Sequence, residues 1–149
     1  MNPLDFKAAL LAKHAQHVVL IHFPIALFVV GVAFDFIAGW TKNRALAAAA
    51  YYNLFVAAVS VPPVLATGLL AWQWQLEGQR LKGVLLLHLV FALASSAMVW
   101  LVWFLHLRAR RTAEQSLPAY RLPVELLAVA VVAFTGHLGG ILSGVNIPS

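Results

Sequence analysis

Long stretches without charge constrain this chain more than any other feature of its sequence. Residues 45 to 76 hold no charged side chain, and three further apolar stretches lie near residues 18 to 40, 83 to 107 and 122 to 145. Each is long enough to cross the hydrocarbon core of a bilayer as a helix, which takes about 20 residues. Only 10% of the residues are charged, against about 25% in ordinary soluble domains. The sequence therefore predicts an all-α integral membrane protein.

The four stretches use nearly all of the 149 residues, so no separate soluble domain fits. Short connections between consecutive apolar helices favour an up-down four-helix bundle, and we expect residues 1–149 to form one transmembrane domain in a lipid bilayer. Residues 1–16 open with Asn2 and Pro3, a pair typical of a helix start, and then mix charged and apolar side chains. We expect a short interfacial helix there, retained rather than cleaved as a signal peptide.

The basic residues lie at the ends of the apolar stretches instead of clustering with aromatic side chains. This distribution argues against a nucleic-acid partner and indicates membrane topology. The connections after the first and third stretches hold six basic residues: Lys42, Arg44, Arg108, Arg110, Arg111 and Arg121. The other side holds four: Lys7, Lys13, Arg80 and Lys82. We therefore expect the connections after the first and third stretches in the cytoplasm, and the connection after the second stretch and both termini outside.

Three histidines lie at one predicted level of the bundle, and a fourth lies just above them. Counted at about 1.5 Å per residue, His22, His88 and His137 fall in the outer leaflet, and His17 lies above them at the interface. An ionisable residue within a span is a functional-site hypothesis by default. The first and third helices of an up-down bundle are diagonal partners. We therefore expect His22 and His88 to face each other across the centre.

Two other ionisable residues lie towards the opposite end. His106 has no second histidine at its level, so a site with two histidine ligands is not expected there. Asp35 lies in the inner half of the first helix, where Arg44 or Asn53 can pair with it. We favour a structural ion pair or hydrogen bond for Asp35 over a proton relay.

Glycines repeat along the fourth helix. Gly136, Gly140 and Gly144 are spaced four residues apart, a pattern that lets another helix or a flat ring approach the backbone closely. We expect these three glycines to face the interior of the bundle.

Several of these residues also form a longer pattern. It consists of His17 and His22 before Phe-Pro-Ile-Ala, then Asp35, Thr67-Gly68, His88, Thr135-Gly136-His137 and Gly139-Gly140. In this pattern the chain resembles the bacterial membrane family catalogued as domain of unknown function 2231, over most of its length. Members usually begin with His-Pro, where Val18 stands here. The resemblance implies four membrane helices in a bacterial inner membrane, with termini that our topology places in the periplasm, and it implies no reaction.

The first functional hypothesis is a membrane b-type cytochrome. The absence of cysteine excludes thiolate metal sites, iron-sulfur clusters and thioether-attached haem. Haem b needs two facing imidazoles and small residues beside the porphyrin, which His22, His88, Gly136 and Gly140 can supply. Electrons would pass between membrane or periplasmic partners such as a quinone or a cytochrome. His137 would donate a hydrogen bond near the haem without binding its iron, or would bind a second haem together with His17.

Two alternatives remain open at the level of sequence. The first is a mononuclear copper or zinc site made by His22, His88 and His137 with an open fourth position. The second is a non-catalytic scaffold or accessory subunit, in a homo-oligomer or a larger membrane complex, whose histidines bond to one another. A hydrolase is disfavoured because no Ser-His-Asp set or acid pair converges. The composition suits an electron-transfer or accessory subunit better than a stand-alone enzyme.

Overall fold

The computed structural model describes residues 15–111 and 117–144, and these residues form four helices. They are α1 (Ala15–Thr41), α2 (Arg44–Gln75), α3 (Gly83–Arg111) and α4 (Arg121–Leu142). All four are long and apolar enough to cross a membrane, which confirms the predicted fold class. The interfacial helix expected over residues 1–16 lies mostly outside the described residues, while Ala15 and Gln16 belong to the spanning helix α1.

Local signals in the sequence explain the sharp turn between α1 and α2. Asn43 caps α2, because its side-chain oxygen accepts hydrogen bonds from the backbone N–H groups of Ala45 and Leu46 at 2.9 and 3.3 Å. Lys42 adopts a left-handed backbone conformation with φ of 57°, as residues just after a helix often do. The two helices are therefore joined by only two residues and must run antiparallel side by side.

The helices pack as neighbours around a square, as an up-down bundle requires. α1 packs most extensively on α2, and α3 on α4, while the α2–α3 and α1–α4 contacts are smaller. Small side chains such as Ala57, Ala58 and Ala128 are fully buried at these contacts, which brings the helices close together. The core is completed by larger residues: Phe28, Val32, Leu54, Val61, Val99, Val102 and Val132.

The outward faces of the helices are apolar. Leucine, valine and phenylalanine side chains are exposed along all four helices, as are Trp40 and Trp74 near helix ends. In water so large an apolar surface would associate, whereas in a bilayer it faces lipid and the tryptophans sit at the headgroups. α2 runs unbroken through Pro62 and Pro63. The chain is a multi-pass membrane protein in a lipid environment.

The two ends of the bundle differ in their side chains: one is rich in basic residues, the basic end, and the other in histidines, the histidine end. The basic end carries the α1–α2 and α3–α4 connections, and Lys42, Arg44, Arg108, Arg110 and Arg111 are exposed there. The histidine end carries the start of α1, the α2–α3 connection and the end of α4, with His17, His22, His88 and His137 nearby. The Trp72 indole N–H donates to the Gln79 carbonyl at 2.9 Å and closes the α2–α3 turn at this end.

Candidate functional site

A buried ion pair joins α1 to α4 near the basic end. The Arg121 Nε–H group donates to Asp35 Oδ2 at 2.8 Å, and the two side chains are 16% and 3% exposed. Gly39, one turn along α1, leaves space for the guanidinium, because a Cβ there would lie 3.0 Å from Arg121 Nη2. The predicted ion pair of Asp35 is present, but the predicted partners were wrong. The Asn53 side chain donates to the carbonyl of Ala49 on its own helix.

A second buried pair joins α3 to α4 at the same level. His106 Nε2–H donates to Glu125 Oε1 at 2.8 Å, and the side chains are only 4% and 1% exposed. The partner of His106 is a carboxylate, whereas the expectation from the sequence concerned only a second histidine as its partner. An ionised pair removed from water this completely is costly unless every polar atom is satisfied.

The two pairs form one cluster with a candidate ligand set. Donor atoms of Asp35, His106 and Glu125 all lie within 4.8 Å of one another, and all three residues are buried. Glu125 Oε2 is buried without a hydrogen-bond partner among the described residues. Buried polar atoms are nearly always satisfied in native proteins. This carboxylate oxygen therefore has the capacity to bind a further group.

The depth of the cluster follows from helix lengths. Asp35 lies six residues before the end of α1, His106 five before the end of α3 and Glu125 four after the start of α4. At about 1.5 Å per residue these positions are roughly 6 to 9 Å from the helix ends. The sequence alone therefore places all three ionisable residues at one level of the bundle. The spacing of the histidines does not reveal the cluster, because two of its members are carboxylates.

The histidines at the other end do not converge in this way. His22 is exposed, and its Nδ1–H donates to the Val18 carbonyl at 2.6 Å within α1. His88 is half-buried, and its Nδ1–H donates to the Thr135 carbonyl of α4 at 3.2 Å. The expectation that His22 and His88 face each other across the centre is wrong for this fold. The buried stripe of α1 runs through Phe28, Val32 and Asp35, and His22 lies off that stripe.

His17 and His137 occupy different surroundings from each other. His17 Nδ1 lies 3.2 Å from Thr67 Oγ1 on α2, and the Thr67 hydroxyl in turn donates to the Val64 carbonyl. His137 is exposed on α4 with its ring 6.3 Å from that of Phe134. Within residues 15–111 and 117–144, the group of three possible metal ligands is Asp35, His106 and Glu125, and it includes no histidine from this end.

The glycine stripe of α4 differs from the expected one. Gly136 is exposed, and a Cβ there would meet nothing within 4 Å. Gly139 is the glycine that faces the bundle, because its Cβ would lie 3.2 Å from His88 Cε1. Gly140 is half-buried, and Gly144 is exposed beyond the end of α4 with φ of 77°. The expectation that Gly136, Gly140 and Gly144 share the interior face was wrong.

Comparison with known proteins identifies the family. The family model described as predicted membrane protein (DUF2231) matches residues 13–145. The chain belongs to the DUF2231 family. Comparison with curated proteins and with solved structures gives no significant match. The match covers all four helices, so the DUF2231 domain comprises the whole bundle, including both ends described above.

Proposed function

We propose that this DUF2231 protein binds one divalent metal ion within the membrane, between α1, α3 and α4. Its ligands are Asp35, His106 and Glu125. The observation that carries the proposal is the convergence of three buried donors within 4.8 Å, one of which, Glu125, has an oxygen without a partner among the described residues. Buried charges are stable when they are paired or coordinate a metal.

The donors lie close enough for a single small ion to draw them together. Zinc binds histidine nitrogen and carboxylate oxygen at about 2.0 to 2.2 Å in tetrahedral geometry, which sets neighbouring donors about 3.4 Å apart. The donors all lie within 4.8 Å of one another, so the cluster needs to contract by up to about 1.4 Å to hold the ion. A neutral imidazole presents Nε2 as a lone pair in one of its two tautomers, which lets His106 bind from its present position.

The donor set also indicates the class of ion. Two carboxylates and one imidazole, without thiolate or thioether, suit zinc, manganese or ferrous iron better than copper(I). Two carboxylates also neutralise a dication, which matters in a region that water does not reach. Three protein ligands leave at least one coordination position for water or a further ligand. The site therefore has the composition of a metal centre able to exchange its ion or activate a bound molecule.

Titration of the purified, metal-stripped protein with zinc tests the proposal. We expect one equivalent bound by the wild type and loss of that binding in His106→Ala and Glu125→Gln. His137→Ala and Glu77→Gln serve as matched controls, because they remove an exposed imidazole and an exposed carboxylate at the histidine end. Equal zinc binding in the wild type and in the two cluster variants would reject the metal centre.

Haem b binding with electron transfer remains a second candidate, favoured by one observation. The Nδ1–H groups of His22 and His88 both donate to backbone carbonyls, which places the lone pair of each ring on Nε2. Metal-binding imidazoles are commonly oriented in this way. A haem held by this pair requires His22 to turn from the exposed face of α1, and a quinone or periplasmic cytochrome would exchange electrons with it.

A visible spectrum of protein from haem-replete cells tests the second candidate. Haem b ligated by two histidines gives a sharp Soret band and split α and β bands after reduction with dithionite. We expect His22→Ala and His88→Ala to lose this spectrum and His106→Ala to keep it, because His106 lies at the opposite end. A colourless wild-type preparation would reject haem binding.

A further inference from the structure

Arg121 occupies part of the proposed metal site. Its Nε lies 2.8 Å from Oδ2 of Asp35, one of the three ligands. The guanidinium is 16% exposed and belongs to the first residue of α4, so it lies between the cluster and the basic end. A cation at a helix N-terminus is unfavourably placed relative to the helix dipole. The Asp35 carboxylate is therefore what holds Arg121 in this position.

The net charge of the cluster favours either Arg121 or a divalent ion in the site, but not both together. With a neutral imidazole on His106, the carboxylates of Asp35 and Glu125 and the guanidinium of Arg121 sum to −1. Adding a dication beside Arg121 gives +1, whereas adding it after Arg121 has left gives zero. An uncompensated buried charge costs several kcal/mol, so the neutral arrangement is favoured.

We propose that Arg121 is a built-in competitor for the metal site, which leaves Asp35 when a divalent ion binds. This inference rests on the proposed metal-binding function and adds the regulation of that site. Without metal, the guanidinium neutralises Asp35 and keeps α1 and α4 joined. With metal, the ion takes over both roles, and the guanidinium extends to the membrane surface, as long arginine side chains do.

The surroundings of Arg121 permit this exchange. Arg121 is already partly exposed, while His106 and Glu125 are almost fully enclosed, so the guanidinium can move towards water while the other ligands stay fixed. Gly39 provides the space in which the guanidinium now lies, and a methyl group there would stand 3.0 Å from Arg121 Nη2. Gly39→Ala therefore makes the guanidinium shift by a few tenths of an ångström without changing any charge.

The displacement also links the cluster to the membrane surface. The exposed arginines of the basic end, Arg108, Arg110 and Arg111, lie in the last turn of α3. Release of Arg121 adds one more positive charge to this surface whenever the ion is bound. Metal binding at the buried site therefore changes the charge of the membrane surface. Conversely, a partner that binds the released Arg121 guanidinium at the surface strengthens metal binding.

Zinc affinities of the wild type, Arg121→Gln, Gly39→Ala and Arg110→Gln test the competition. We expect Arg121→Gln to bind zinc about tenfold more tightly or better, a ratio equivalent to about 1.4 kcal/mol, and Gly39→Ala to bind zinc more tightly than the wild type by a smaller factor. Arg110→Gln is the matched control, because it removes an exposed arginine at the same end whose guanidinium packs 4.2 Å from the Tyr51 ring centre. We expect its affinity to equal that of the wild type.

The outcomes separate this inference from the proposed function. A wild type and an Arg121→Gln variant that both bind no zinc would remove the metal centre itself and the competition with it. Zinc binding by the wild type with equal or weaker binding by Arg121→Gln would overturn the competition alone, and Arg121 would then support the site. Tighter binding supports the competition. If Arg121→Gln does not yield folded protein, Gly39→Ala decides by the same criterion.

Discussion

Asp35 is the residue that joins the two buried pairs. It accepts from Arg121 at 2.8 Å and shares a ligand cluster with His106 and Glu125. Removing Arg121 leaves the Asp35 carboxylate, which is only 3% exposed, without its counter-charge. Breaking a buried pair on one side is much more costly than removing both partners, because one charge stays uncompensated.

The first prediction concerns this asymmetry. We expect Arg121→Gln to lower the free energy of unfolding by about 3 kcal/mol, because the enclosed Asp35 carboxylate cannot move to water as the guanidinium can, and the double variant Asp35→Asn/Arg121→Gln to recover most of that loss. Denaturation of the detergent-solubilised protein, followed by helical circular dichroism, measures both. Losses that simply add in the double variant would contradict the buried ion pair.

At the level of single residues, the sequence predicted the kind of interaction that a side chain makes better than it predicted the partner residue. It correctly predicted an ion pair for Asp35 but named Arg44 and Asn53, which are nearer in sequence than Arg121. The partner depends on the packing of α4 against α1, a tertiary contact with no local signal. His106 and Glu125 lie at the same depth in the membrane as Asp35. A comparison limited to histidines could not show this, because Asp35 and Glu125 are carboxylates. Haem ligation by His22 and His88 stays a prediction.

At the scale of the helix, α4 shows which spacing decides the buried face. Its buried residues Glu125, Ala128 and Val132 follow the helical repeat of about 3.6 residues. Gly139, seven residues after Val132, continues that face and packs against His88. A strict repeat of four drifts by about 40° at each step, so Gly136, Gly140 and Gly144 cannot all keep to one face. Gly136 is exposed. The sequence predicted where the helices lie to within a few residues, because apolar length and bounding charges are local signals.

The second prediction compares these two glycines. We expect Gly139→Leu to destabilise the bundle or to separate α3 from α4, because even a Cβ would lie 3.2 Å from His88 Cε1. Overpacking of this kind costs about 1 to 3 kcal/mol. Gly136→Leu places the same side chain in open space and is the control. Thermal melting in detergent distinguishes them, and equal melting temperatures would contradict the assigned face of α4.

At the scale of the whole molecule, the bundle holds two polar layers separated by an apolar core. Ionisable groups of α1, α3 and α4 meet near the basic end, while the imidazoles of the histidine end bind mainly to their own or a neighbouring helix. Composition and hydropathy predicted the four spans because bilayer thickness imposes their length. They place Asp35, His106 and Glu125 at one depth, but whether the three side chains converge depends on how the helices are rotated about their axes.

The third prediction concerns topology. Arg44 begins α2 and Gln79 lies between α2 and α3, so the two must lie on opposite sides of the membrane. Because the chain has no cysteine, single Arg44→Cys and Gln79→Cys variants give labelling without background. From the excess of basic residues at the basic end we expect position 44 in the cytoplasm. Labelling of both positions from one side of intact cells or spheroplasts would contradict the fold.

X-ray absorption at the zinc edge of the zinc-loaded protein tests the central claim most directly. The ligand set of Asp35, His106 and Glu125 predicts nitrogen and oxygen neighbours at about 2.0 to 2.2 Å, with outer-shell scattering from one imidazole. His88→Ala should keep that signal, whereas His106→Ala should retain no bound zinc. A spectrum with two or more imidazoles, or one unchanged by His106→Ala, would place the ion elsewhere and contradict the metal centre between α1, α3 and α4.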